Sequence, residues 1–211
     1  MTYEPRKGMY QGAYLPHTEA GGKPQMITFR LDDSIPRDVL DEKIDLASSQ
    51  TEKRLIQQRY LDQGLGRCIL AQPRIGEMVA GAIKFYDDKN YQLVDWVVMP
   101  NHVHFVYKKP QASMAKVVGC IKSYTTNQIN DILGESGRQW QRDYYDRFAR
   151  KAEHLTNMSN YTLLNPVRAG LVEDPFDWPL SSIHDYSKEL KIELERWYER
   201  WKDRFWRAVV W

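Results

Sequence analysis

Cysteine is scarce in this chain: two in 211 residues, Cys68 and Cys120, far apart and without paired spacing. That excludes a cysteine-built zinc site and a disulfide scaffold, and it fits a reducing compartment. Long apolar runs are absent as well. No stretch approaches the ~18–20 residues of a membrane-spanning helix. Met1–Lys7 leads into no apolar segment, so neither a span nor a secretory signal is expected. Charge of one sign is lacking. Lys and Arg number 30 against 28 Asp and Glu, a formal +2, far from the basic excess of a protein that coats long nucleic acids. No internal repeat or low-complexity tract is visible. With 27% charged and 42% hydrophobic residues, the chain reads as one globular domain with appendages rather than as a disordered segment.

What is abundant is aromatic: 7 Trp and 13 Tyr, with aromatic residues at 12% of the chain. Interleaved with basic residues, such side chains either stack bases while cations neutralise phosphates, or simply pack a core. The local patterns predict elements. Residues 1–24 have no period and read as an extended arm. Gln25–Leu31 alternates as a strand, and Arg37–Asp62 reads as a charged helix ending at Gly64 and Gly66. Arg74–Tyr86 repeats apolar residues every three or four positions, a helical face. Gln92–Met99 and His102–Lys108 are β-branched, alternating strands joined by a tight Met-Pro-Asn turn, hence a hairpin. Ser113–Leu133 predicts a helix with Met114, Val117, Val118, Ile121 and Tyr124 on one face. Gln139–Ala149 suits a strand. Ala152–Leu164 predicts a helix stopped by Asn165-Pro166, and 178–182 a loop. Leu190–Phe205 predicts an amphipathic helix whose aromatic stripe packs on the body or covers a site. The sum is an α+β fold: an antiparallel sheet with helices packed on it.

Two patterns carry chemistry. His102-Val103-His104 lies in a predicted strand, where residues two apart share a face. Two imidazoles side by side suit a metal ion, or form a pair of surface histidines in a half-buried strand. Tyr161 and Asn165 are four apart on a predicted helix and share its face. They offer a phenol and a neutral oxygen ligand, or a packing tyrosine and a helix-end asparagine.

The order of four blocks is more specific. Val97-Val98-Met99-Pro100-Asn101-His102-Val103-His104 comes first, then Trp140–Arg147, then Tyr161-Thr162-Leu163-Leu164-Asn165-Pro166-Val167-Arg168-Ala169-Gly170-Leu171-Val172, then Trp178-Pro179-Leu180-Ser181-Ser182. Together they resemble the REP-associated tyrosine transposases, relatives of the single-tyrosine HUH transposases of bacterial insertion sequences. The likeness runs from about Tyr14 to Tyr186. It implies a ferredoxin-like antiparallel sheet of HUH-endonuclease type with the histidine pair on a central strand. It places a nucleophile at Tyr161 and metal ligands at His102, His104 and Asn165. Thr162 stands where the family usually has Ile, a mild departure at a position expected to face away from the site.

The implied reaction is transesterification of single-stranded DNA, with a 5′-phosphotyrosine intermediate and a free 3′-OH. A phenol with a pKa near ~10 is a poor nucleophile at neutral pH, so the phosphate must be made electrophilic by a divalent ion, Mg²⁺ or Mn²⁺. Two His and one Asn add no negative charge and leave the ion its full +2. The implied substrate is a REP-type DNA hairpin. Candidate contacts are an arm with Tyr3, Arg6, Lys7, Tyr10, Tyr14 and His17, then Lys108, Lys109 and Lys122, and the run Arg138, Arg142, Arg147, Arg150 and Lys151. The alternative for that run is a solvated face. The likeness implies a monomer, with a dimer left open, and a cytoplasmic, nucleoid-associated protein. The expected division is an arm at 1–24, a catalytic domain at 25–186 and a C-terminal helix at 187–211. Two competing classes remain: a domesticated hairpin-binding protein without transposition activity, and a metallohydrolase with Asp95 as its base.

Overall fold

Runs of β-branched and aromatic residues pair antiparallel here, and helices fill the connections. The computed structural model describes residues 7–11, 16–39, 44, 46–187 and 189–201. Within the expected arm, β1 (Lys7–Gln11) and β2 (Pro16–Ala20) pair as an antiparallel hairpin, so part of that segment is strand rather than extended coil. Four strands follow in one sheet: β3 (Gln25–Arg30), β4 (Gln92–Val98), β5 (His102–Lys108) and β6 (Tyr145–Phe148), in spatial order β4-β5-β3-β6. All three pairings are antiparallel.

The helices are α1 (Arg37–Val39), α2 (Gln50–Asp62), α3 (Pro73–Lys84), α4 (Met114–Leu133), α5 (Ala152–Leu163), α6 (Asn165–Arg168) and α7 (Leu190–Trp201). The run β3-α3-β4-β5-α4-β6 with this strand order is the ferredoxin-like arrangement. The α+β expectation holds. Among the described residues, no helix is long and apolar enough to cross a membrane.

Strand periodicity divides the side chains between two layers. Val103, Phe105 and Tyr107 of β5 join Ile27 and Phe29 of β3 under α3 and α4, with Trp140 closing the cluster. On the other face Met26 and Val106 pack with Met158, Tyr161 and Leu163 of α5 and with Leu194 and Trp197 of α7. The histidines therefore face α5. The turn between β4 and β5 closes as Met99 N–H donates to His102 O at 2.8 Å. The free side of β4 is covered by the 180–182 segment, where Val98 N–H donates to Leu180 O.

Several boundaries moved. The expected helix over 37–62 is a short α1 and a separate α2, whose Ser49 cap accepts the Glu52 N–H. The expected strand over 139–149 is a full strand at β6, with an isolated antiparallel bridge from Trp140 to Leu31 before it. The expected stop before Asn165-Pro166 holds within one residue: α5 ends at Leu163, the chain bends at Leu164, and the short α6 starts at once, because proline in a first helical turn has no N–H to leave unpaired. On α4, Thr125 rather than Tyr124 lies on the buried face, and Tyr124 is exposed.

Candidate active site

The site begins with the hairpin turn, which places His102 at the first position of β5 and His104 one pleat further on. Both rings are fully buried, and their Nε2 atoms stand 3.0 Å apart. Burial holds His102 down at about 3 and His104 well below the usual imidazole range, so both are neutral at pH 7. The Nδ1 atoms face outward to fixed partners. His102 Nδ1 meets Asn101 Oδ1 at 2.7 Å, and His104 Nδ1 meets Thr28 Oγ1 at 2.6 Å. Asn101 Nδ2 donates to Leu61 O and Leu65 O, which fixes its oxygen toward His102. His102 must then carry its proton on Nδ1, leaving Nε2 with a lone pair turned inward, the arrangement of a metal-ligating histidine. At that spacing the two Nε2 atoms could both reach one divalent ion, and without an ion the pair makes an N–H···N hydrogen bond. Among the described residues, no group of three His, Cys, Asp or Glu comes together.

Tyr161 reaches the pair from α5. Its ring stands edge-on to His104 at 5.5 Å between centroids. It is 3% exposed, and burial pushes its phenol above the ordinary tyrosine range, with the Arg168 cation the largest opposing influence. Asn165 is wholly buried at the start of α6. Its Oδ1 accepts from Arg168 Nη2 at 3.1 Å, and its side chain also bears on the Tyr161 phenol. The i, i+4 expectation thus holds across the bend between α5 and α6. Thr162 points away into the core, donating to Met158 O.

Arg168 was not anticipated. Its guanidinium lies 5.1 Å over the Tyr161 ring and is gripped at two points by Asp62 at the end of α2. Both side chains are largely shielded, 7% exposed for Arg168 and 12% for Asp62. The signal was present in the Asn165-Pro166-Val167-Arg168 run, since three residues on is one helical turn. Nothing local pointed to Asp62, 106 residues away.

The expected DNA contacts disperse. Tyr14, Tyr3 and Arg6 lie outside the described residues, and His17 is on β2 opposite Tyr10. Lys122 changes role: its ammonium donates to the carbonyls of Gln141, Arg142 and Asp143, and burial pulls it down to about 7. It pins a loop and is poorly placed to meet a phosphate. Arg138 pairs with Asp32 at 2.8 Å. Lys108 is exposed at the far end of β5, six residues or about 20 Å from His102. Arg147 lies on β6 opposite Met26, close enough for its charge to favour the Tyr161 phenolate. Arg150 and Lys151 are exposed where α5 begins, and Arg142 is exposed before β6. Asp95 does not serve the histidines. It is buried opposite Val106, with Oδ1 accepting from the Ser182 and Tyr186 hydroxyls. The metallohydrolase reading loses its base.

Residues 71–162 match the family described as Transposase IS200 like, a stretch that holds His102, His104 and Tyr161. A putative REP-associated tyrosine transposase of Haemophilus influenzae is 29% identical over 116 residues, covering 49% of this chain and 64% of that protein. The REP-associated tyrosine transposase of Escherichia coli K12 is 26% identical over 106 residues, covering 48% and 60%. The matched stretch thus spans less than two thirds of either relative. A solved REP-associated tyrosine transposase bound to a REP hairpin shares the fold: TM-score 0.51, 20% identity, 83% of this chain and 82% of that one.

Proposed function

We propose that this chain, which resembles the REP-associated tyrosine transposases in sequence and fold, is a metal-dependent endonuclease and strand transferase acting on single-stranded REP-type hairpins. The observation that carries the reading is the meeting of Tyr161 with the His102–His104 pair inside one chain. That meeting also favours a monomer, since no second copy is needed to bring phenol and histidines together. A cytoplasmic, nucleoid-associated protein fits this role.

The Tyr161 oxygen attacks a backbone phosphorus. The bond from phosphorus to the 3′ oxygen breaks, the phenol loses its proton and the departing 3′ oxygen gains one. The product is a 5′-phosphotyrosine link and a free 3′-OH, and the conserved phosphoester energy lets the step reverse without ATP. The histidine pair would hold a divalent ion through His102 Nε2 and His104 Nε2, and Asn165 Oδ1, which here accepts from Arg168, would be the neutral third donor. Such an ion, Mg²⁺ or Mn²⁺, supplies Lewis-acid polarisation of a phosphate. The protein's own share is placement. Arg168 and His104 hold the Tyr161 ring between them, and the buried surroundings keep water from competing for the phosphate.

The test is incubation with single-stranded REP-type hairpins and Mn²⁺, read on a denaturing gel. The expected result is a covalent protein–DNA adduct, abolished in Tyr161→Phe while that variant still binds the hairpin. His102→Ala with His104→Ala is also expected to form no adduct. An adduct that survives Tyr161→Phe removes Tyr161 from the role. Hairpin binding with no adduct from the unaltered protein supports the domesticated binder instead.

A further inference from the structure

The two histidines have unlike outer partners. Asn101 has no freedom, because its amide nitrogen is held by two carbonyls and only its oxygen faces His102 Nδ1. Neutral His102 is therefore bare at Nε2. His104 faces a hydroxyl, which both donates and accepts. Thr28 stands directly across from His104 in the β3–β5 register, and it is buried. With Nε2 atoms at 3.0 Å, two bare lone pairs would repel. Without an ion, His104 must carry its proton on Nε2 and donate it to His102, while Thr28 donates to His104 Nδ1. With an ion between them, both Nε2 atoms must be bare. His104 must then carry its proton on Nδ1, and Thr28 must accept.

We infer that Thr28 is a positioning residue of the histidine pair: its hydroxyl, turning from donor to acceptor, lets His104 change tautomer when a divalent ion takes its Nε2. This rests on the metal reading above. The proton count balances: one proton leaves Nε2 and one is bound at Nδ1 of the same ring, the hydroxyl rotates, and none is released. A strand threonine kept only for packing makes the opposite prediction, since valine has the same branched shape and suits a strand as well.

The experiment measures Mn²⁺ binding by electron paramagnetic resonance and the histidine tautomers by ¹⁵N NMR, without DNA. Thr28→Val is expected to weaken Mn²⁺ binding about 10- to 100-fold, the usual effect of losing an outer-shell hydrogen bond to a ligand. Thr28→Ser, which keeps the hydroxyl, is expected to stay near the unaltered protein. In the unaltered metal-free protein, NMR should show His102 protonated on Nδ1 and His104 on Nε2, with His104 switching to Nδ1 on addition of Mg²⁺. Unchanged Mn²⁺ affinity in folded Thr28→Val, or His104 already protonated on Nδ1 without metal, overturns the inference alone. Mn²⁺ binding no tighter than in His102→Ala with His104→Ala overturns the metal reading and this inference together. The tautomer measurement needs no variant, so the inference stays testable even if Thr28→Val fails to fold.

Discussion

Burying two neutral imidazoles makes the fold sensitive to acid. His102 is held down at about 3 in the folded protein and His104 is also depressed, whereas in an unfolded chain both titrate near ~6.5. A depressed folded value means the stability contribution is whole above pH 6.5 and is lost as the pH falls. The unfolded chain then takes up protons that the folded one refuses. Between about pH 6.5 and 3 the metal-free protein should lose up to about 1.4 kcal/mol per pH unit on account of His102, with His104 acting in the same direction. Urea unfolding across that range checks it, and a flat profile would show the rings to be solvated. Arg168 gives a second prediction at this scale. Breaking a buried pair leaves one charge uncompensated, so Arg168→Met should cost about 3–5 kcal/mol. Combining it with Asp62→Leu, which removes the stranded carboxylate, should recover most of that loss. A double variant no better than the single one would mean that the pair is not what makes the change costly.

At the scale of elements, the reading from sequence was sound where a hydrophobic period was strong and uninterrupted. The β4–β5 hairpin, α3 and α4 came out within one or two residues, because their apolar spacing and turn residues point the same way. It erred where tertiary contacts override local preference. Gln139 to Gln141 keeps a strand-like bridge to the end of β3, but the ladder stops where the carbonyls of Gln141, Arg142 and Asp143 accept from the Lys122 ammonium. The tyrosine helix stops within one residue of where expected, at Leu163, but the short α6 that follows at once was not foreseen. Close packing of α3 supplies a test. A Cβ on Gly76 would come within 2.7 Å of Leu70 O and 2.3 Å of Leu180 Cδ1. Since the carbonyl belongs to backbone, Gly76→Ala should destabilise by about 1–3 kcal/mol despite the better helix propensity of alanine. A melting temperature equal to or above the parent's would contradict this.

Across the whole molecule, one sheet separates two cores. The larger lies under α3 and α4, and the smaller joins α5 to α7 on the histidine side. That arrangement settles the part of α7 that is described: Leu194 and Trp197 are buried, and Trp197 Nε1 donates to Asn157 Oδ1 at 2.8 Å. Its stripe packs on the body, beside the helix that carries Tyr161. Trp197→Ala should therefore cost about 3–5 kcal/mol, and removal of residues 188–211 should leave an insoluble protein. A soluble truncated protein with faster adduct formation would instead mark α7 as a lid. Phe205, the last residue of the expected stripe, lies outside the described residues.

The near-zero net charge takes on meaning at the same scale. Basic residues counted together along Arg138–Lys151 part company in three dimensions: Arg138 is paired, Arg147 is near enough for its charge to act on the Tyr161 phenol, and Arg142, Arg150 and Lys151 stay at the surface. By itself the sequence determined the α+β class, the histidine hairpin, and the shared helical face of Tyr161 and Asn165. Each of those follows from spacing along a regular element, where geometry is set by a few neighbouring residues. Only the tertiary structure decided that Asp62 grips Arg168 over the tyrosine, that Thr28 and Asn101 stand behind the two histidines, and that Asp95 and Lys122 serve the framework. Contacts between residues tens to a hundred positions apart depend on strand order and helix placement, and no local period records them.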